Sequence, residues 1–312
     1  MSNTQQYPQH YSPDDITKIR QIAAWLKETG MPRAQLARKA RVSGASLTQI
    51  MSGSYVSSPS ALLEKLESAM RHTENSTNMN DAVETSVYTV ASACCRMARQ
   101  YRNFSVFSAY VGTGKTHALW DYERKHGNTH MIEATPSMTV SSLIKKLDVM
   151  VTGYTTKGNL NDKEEAIIRT LQGTDSLLII DEAETLTPTQ LHTIRRIRDI
   201  GRIGVVLAGT EHLSGILRPH SAFDQIHSRV GFRPKTITGI TLDDTTALLR
   251  HHLGEDVSED VISRIHKYCK GSARMVCEGF VPGIRSFQKD SGLDVRLVDS
   301  VASQALSLQS LA

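Results

Sequence analysis

The 312 residues carry 36 Lys and Arg against 32 Asp and Glu, a net charge of +4, with 39% hydrophobic and 22% charged side chains. This is ordinary for a globular protein of two or three domains, and the mild basic excess is compatible with nucleic acid without requiring it. No stretch of about 18 uninterrupted apolar residues occurs, which excludes a helical membrane span, and the polar N-terminus holds no signal-peptide core. Cys94, Cys95, Cys269 and Cys277 fit neither a zinc spacing nor a disulfide framework, so buried free thiols in a reducing cytoplasm are expected.

Residues 1–11 read as a flexible tail. Ser12-Pro13-Asp14-Asp15 then opens a helix with a capping hydroxyl, a first-turn proline and acids that suit the helix dipole. Ile16, Ile19, Ile22, Ala23 and Leu26 form its apolar face, and Gly30 ends it. Pro32 to Gly53 reads as two short helices with a turn at Ala40 to Val42. Ala37 is the small residue at the crossing, Val42 plugs the turn, Ser43 caps, and Leu47 and Ile50 face inward. Gly44, Ser46, Thr48 and Gln49 face outward.

This is a helix-turn-helix pattern within an all-α domain over 1–71. Arg33, Arg38, Lys39 and Arg41 flank it with no acid between them and could neutralise phosphates. Ser46, Thr48 and Gln49 could approach base edges. A helical bundle with a basic face for protein contacts is the alternative. Few outward residues are long or bidentate, so strong sequence specificity is not expected. Ser57 to Arg71 is a further helix with Leu62, Leu63, Leu66 and Met70 inward; residues 72–83 form the linker, and Ala82 to Tyr101 is a helix entering the next domain.

Phe104 to Thr116 carries the main chemical signal. An apolar, β-branched and aromatic run breaks into a glycine turn, and Lys115 and Thr116 open a helix. This is a strand, a phosphate loop and a helix N-terminus. Gly112 and Gly114 let backbone N–H groups point at phosphate oxygens, Lys115 can reach the β- and γ-phosphates, and the Thr116 hydroxyl can ligate Mg²⁺. The nucleotide-binding residues are then Ala109, Tyr110, Val111, Gly112, Thr113, Gly114, Lys115, Thr116 and His117. Ala109 replaces the usual first glycine, which is tolerable where the chain is only leaving a strand.

Downstream, His130 to Thr135 is a second strand. Val140 to Met150 is a helix with Lys145 and Lys146, Gly153 to Asn161 is a polar loop with Lys157, and Glu164 to Leu171 is a helix. Leu177 to Glu184 is a wholly apolar strand ending in acids, as a doubly covered parallel sheet requires. Asp181 and Glu182 stand at its carboxyl end, where ligands bind in open α/β sheets. There Asp181 would hold Mg²⁺, and Glu182 would orient the water that attacks ATP. Pro188 to Ile200 is a helix with Arg195, Arg196 and Arg198. Gly204 to Thr210 is another buried strand, and Ile237 to Ile240 supplies a last one. Helices then run over Leu242 to His252, Ser258 to Cys269, Ala273 to Gln288 and Val295 to Leu306. The fold class is α/β: a P-loop core with a parallel sheet over 84–240 and a helical lid over 241–312.

The phosphate loop, the Leu177–Glu184 strand, the Val205–Thr210 strand and the lid sequence Gly271-Ser-Ala-Arg274 resemble, in that order, the AAA+ ATPases. The N-terminal helix-turn-helix pattern and the chain length make the sequence similar to the AAA+ ATPases of DNA transposition and transposon target selection. The resemblance implies that Thr210 senses the γ-phosphate, that Arg274 reports nucleotide to the lid, and that Arg229 is an arginine finger acting on a neighbouring protomer, with Arg218 and Arg233 as rivals. It implies a homo-oligomeric ring or filament on double-stranded DNA. Lys145, Lys146, Lys157, Arg195, Arg196 and Arg198 are then DNA contacts and a transposase is the partner, in a bacterial cytoplasm. A helicase loader or an ATP-gated helix-turn-helix regulator are the rival functions.

Overall fold

The computed structural model describes residues 7–8, 10–29, 33, 36–37, 40, 42–78, 82–216, 224–287 and 292–309. Arg38, Lys39, Arg41 and Arg218 lie outside the described residues. The chain divides between Asp81 and Ala82 into two compact units.

In the first unit, α1 is Pro13–Thr29, α2 is Gly44–Ser52 and α3 is Ser60–Asn78. The start of α1 is a reciprocal cap: Ser12 Oγ accepts from Asp15 N at 3.1 Å, and Asp15 Oδ2 accepts from Ser12 N at 2.9 Å. Ser43 caps α2, accepting from Ser46 N, and Gly53 closes it at φ 73°. Ala37, Val42, Leu47 and Ile50, the positions the helix-turn-helix pattern assigns inward, are buried, as is Leu36. Between α1 and α2 helical backbone is described at Arg33, Leu36 and Ala37. Two expectations are corrected. Part of the expected tail is docked: Tyr11 is buried, its ring is 5.6 Å from that of Tyr7, and its hydroxyl accepts from Tyr55 N at 3.3 Å. Two aromatic rings supply enough apolar area to hold a polar segment down. The expected linker is helical as far as Asn78, because nothing in 72–78 breaks a helix.

The second unit opens with α4, Ser86–Tyr101. Then follow β1 (Phe104–Ser108), α5 (Lys115–Lys125), β2 (Thr129–Glu133), α6 (Val140–Thr152), α7 (Leu160–Leu171), β3 (Leu177–Asp181), α8 (Pro188–Gly201) and β4 (Gly204–Gly209). The helical turns α9 (Glu211–Ile216) and α10 (Asp224–His227) and the short strand β5 (Val230–Phe232) complete the core. All strands pair in parallel in the order β2-β3-β4-β1-β5. The last strand is Val230–Phe232. Ile237 makes only an isolated bridge to Ala109, since the backbone there leaves the sheet after one pairing.

Strand periodicity sorts the sheet's side chains. Phe107, Leu177, Ile179, Val206 and Ala208 face one buried cluster; Phe104, Val106, Leu178, Ile180, Val205 and Leu207 face the other. Helices α6, α7 and α8 cover the second. The lid consists of α11 (Leu242–Leu253), α12 (Glu259–Cys269), a π-helix at Met275–Phe280, α13 (Val281–Phe287), α14 (Val295–Ser300) and a π-helix at Val301–Ala305. The long helix expected from Ala273 is thus divided by a π segment, and the one expected from Val295 ends in one. The lid is also not a separate hydrophobic body. Leu249, Ile262, Phe280 and Val298 belong to the same buried cluster as Phe107 and Leu119. Cys94, Cys95 and Cys269 are buried free thiols, and Cys277 is half-buried. No helix among the described residues is long and apolar enough to cross a membrane.

Candidate nucleotide site

The site stands at the carboxyl edge of the sheet, where β1, β4 and β3 lie side by side. β1 ends in the glycine turn, and Gly112 (φ 81°) and Gly114 (φ 93°) hold left-handed backbone that a side chain would strain. Ala109 is buried and does not adopt positive φ; its N–H donates to Gly209 O at 3.1 Å. The alanine is therefore still strand backbone. Gly114 is the N-cap of α5 and offers no side-chain cap, unlike Thr85, Thr139, Asn159, Thr187 and Thr241 at their helices. Its first-turn N–H groups are left for an anion.

Two strands away, β3 delivers Asp181, fully buried. Lys115 Nζ donates to Asp181 Oδ1 at 3.0 Å, and Thr116 Oγ1 donates to Oδ2 at 2.5 Å. A carboxylate and a hydroxyl side by side are hard oxygen donors that fit Mg²⁺, which binds through one or two carboxylates plus phosphates. Among the described residues no group of three or more His, Cys, Asp or Glu could form an all-protein cage.

Glu182 follows at φ 52°, ψ 36°, left-handed backbone unusual for a non-glycine residue. Partial desolvation, helped by the neighbouring carboxylates Glu133, Asp181 and Glu184, raises its pKa above the usual carboxylate value. Between β1 and β3, β4 carries Thr210 to the same edge. Its N–H donates to Glu184 Oε1 at 3.0 Å, and its hydroxyl is buried with no hydrogen-bond partner. Glu184 and Glu133 were not singled out in the sequence. Glu184 was visible as the third acid of the Asp181–Glu184 run; Glu133 needed the register that sets it beside Asp181.

The lid closes over the loop. Arg274 N donates to Gly112 O at 2.9 Å, and a Cβ on Gly112 would come within 2.7 Å of Ser272 Oγ. The Arg274 side chain is exposed and lies 3.8 Å from Glu278. His117 is exposed on α5, and Tyr110 and Val111 are exposed on the loop; Thr113 is buried, its hydroxyl donating to Tyr110 O at 2.8 Å.

Arg229 is not at this site. Phe104 N donates to Arg229 O at 3.3 Å, which places Arg229 at the opposite edge of the sheet, about 15 Å away by strand rise. Its guanidinium is 3.2 Å from Asp199. Arg196 pairs with Glu164 at 2.5 Å, and Arg198 pairs with Asp199 at 2.7 Å and donates to Arg102 O. Arg195 is half-buried. The arginine patch on α8 is thus largely engaged within the fold. Lys145, Lys146 and Lys157 are exposed, as are Thr48 and Gln49, while Ser46 is half-buried against Ser43 Oγ at 2.8 Å.

This fold and site define an AAA+ P-loop protein, and a family model described as an AAA domain matches residues 98–217. The ADP form of the Aeropyrum pernix ORC2 protein shares the fold, with a TM-score of 0.52 at 18% identity over 70% of this chain and 67% of that one. The chain resembles the transposition B proteins of Mu-like phages. It is 25% identical over 230 residues to the Mu-like prophage FluMu DNA transposition protein B of Haemophilus influenzae, covering 69% of this chain and 78% of that protein. Over 132 residues it is 31% identical to the ATP-dependent target DNA activator B of Escherichia phage Mu, a match reaching 42% of either chain.

Proposed function

We propose that this chain is an ATP-dependent, largely sequence-independent DNA-binding ATPase that assembles on target DNA and activates a transposase. The observation that carries the reading is the convergence of Lys115, Thr116 and Asp181 below an uncapped helix N-terminus. Gly112 and Gly114 amides and Lys115 would bind the phosphates of ATP, and Thr116 and Asp181 would hold Mg²⁺. The metal, once bound, neutralises charge between β- and γ-phosphates.

Glu182 is the general base. Water attacks the γ-phosphorus, its proton passes to the Glu182 carboxylate, and the bond to the β–γ bridging oxygen breaks, leaving ADP and phosphate. Thr210 orients that water or the γ-phosphate, and Arg274 couples the lid to the loop. Arg229, far from its own loop, serves a neighbour's nucleotide. ATP then joins protomers on DNA and hydrolysis releases them. DNA is contacted through phosphates by Lys145, Lys146 and Lys157, with Arg38, Lys39, Ser46, Thr48 and Gln49 as the contacts of the helix-turn-helix unit. The relatives' names support the transposition role.

Electron microscopy with ATP and random duplex DNA tests this. Oligomers along the duplex are expected, and Lys115→Ala should abolish both nucleotide binding and assembly. Assembly that ignores ATP, or that needs one defined operator, would overturn the reading.

A further inference from the structure

The loop between α6 and α7 is pinned at several points although most of it is exposed. Asp148, buried on α6, accepts from Thr156 N at 2.8 Å and from Thr156 Oγ1 at 2.5 Å. Lys163, buried on α7, donates to Asp148 Oδ2 at 3.4 Å and to the Thr156 carbonyl. Thr152 Oγ1 accepts from Tyr154 N at 3.3 Å. Gly158, at φ 106°, lies against the Asp162 carboxylate, which accepts from Asn159 N at 2.7 Å.

What this arrangement presents is one-sided in charge. Lys145, Lys146 and Lys157 are exposed, and Tyr154 is 63% exposed beside the exposed Val149 and Met150. Asp148 is the only carboxylate in 145–160, and it is withdrawn from the surface and neutralised by Lys163. A buried ion pair costs desolvation that an apolar pair would avoid, so it contributes little net stability. Here it fixes a loop shape and withdraws from the surface the carboxylate that follows Lys145 and Lys146 on α6.

We propose that Lys163 and Asp148 are positioning residues that hold Gly153 to Asn159 in the shape that meets duplex DNA, with Lys145, Lys146 and Lys157 on phosphates and the Tyr154 ring against the sugar–phosphate backbone. This rests on the DNA-binding reading above. Neither Lys163 nor Asp148 touches DNA. The surface is uncommitted to bases, because ammonium groups on flexible stems and a single ring read charge and shape.

The test uses the full chain with ATP and fluorescent random duplex DNA, read by anisotropy over a salt series. Replacing Lys145, Lys146 and Lys157 together by Ala should lower the slope of log affinity against log salt by about 2 to 3, since each phosphate contact contributes about 0.9. Lys163→Met should weaken binding about tenfold and speed tryptic cleavage after Lys157 in the folded protein; Lys163→Arg should restore most of both. Thr156→Val, which removes one donor and keeps the shape, should act in the same direction by about threefold. It decides the matter if Lys163→Met fails to fold by circular dichroism. If the triple lysine variant loses affinity while Lys163→Met or Thr156→Val changes neither binding nor cleavage, the positioning role is overturned and DNA contact stands. If the triple variant binds DNA normally, DNA contact here and the proposal fall together.

Discussion

Thr210 N–H donates to Glu184 Oε1 at 3.0 Å, so the acid turn after β3 and the end of β4 are fastened to each other beside the phosphate loop. The other oxygen of Glu184 is buried without a hydrogen-bond partner and lies against Gly209, where a Cβ would come within 2.0 Å of it. Glu184→Ala should slow ATP turnover about tenfold, equivalent to about 1.4 kcal/mol of barrier, with nucleotide affinity kept. Gly209→Ala, which forces the carboxylate aside, should reproduce the defect. Steady-state hydrolysis beside fluorescent-nucleotide titration checks both; unchanged turnover in both variants would show that the fastening has no catalytic role.

Lys115→Ala removes the cation from a fully buried carboxylate. Breaking one side of a buried pair costs about 3 kcal/mol because the remaining charge stays desolvated. The variant should therefore unfold at lower urea as well as lose nucleotide. Lys115→Ala/Asp181→Asn, with no charge left uncompensated, should recover much of the stability and none of the binding.

Glu182 makes the opposite trade. Its folded pKa is raised by partial desolvation and by Glu133, Asp181 and Glu184. Its contribution to stability is present below the unfolded carboxylate pKa and is lost as pH rises through the folded value. Glu182→Gln should therefore be more stable than the parent at neutral pH, with the gap closing in acid, while hydrolysis falls and DNA assemblies persist. Urea melts at two pH values decide the first point; a variant less stable at neutral pH would contradict it.

Asp244 fastens the lid to the helix entering the core. It accepts from Ser86 N and Ser86 Oγ, each at 2.6 Å, and from Thr241 N at 2.8 Å. Burial opposes its ionisation, but these hydrogen bonds outweigh burial and hold its pKa below the usual carboxylate value. The stability it contributes is present above the unfolded pKa and is lost as pH falls through the folded one. Asp244→Ala should cost about 2 kcal/mol, as expected for buried donors left unpaired, and should raise hydrogen exchange at the starts of both α4 and α11.

Arg229 is paired with Asp199 at the edge of the sheet remote from its own phosphate loop, so the finger role requires a neighbour. Arg229→Ala alone and Lys115→Ala alone should each be inactive in hydrolysis. An equimolar mixture should recover activity, because some interfaces then join an intact loop to an intact arginine. No recovery would remove Arg229 from the role and leave Arg233 as the described rival.

Local chemistry was readable directly. The glycine turn before Lys115-Thr116, the apolar run before Asp181-Glu182, and the caps Ser12 and Ser43 each depend on residues a few positions apart. Periodicity located most helices, because burying one face imposes its spacing on the sequence. It could not show the π segments after Arg274 and Ser300, which keep an apolar face while changing the backbone bonding.

Sequence alone determined that a P-loop and an acid-ended strand are present, since those demands fall on contiguous residues. Tertiary structure decided what stands beside what. It placed β4 between the two strands, so that Thr210 meets Glu184, and it buried Asp148 against Lys163 beneath an otherwise basic surface. It also sent Arg229 to the far edge and drew the lid into the core's own hydrophobic cluster. The physical reason is that strand order, burial and ion pairing join residues tens of positions apart, where no local spacing records the contact.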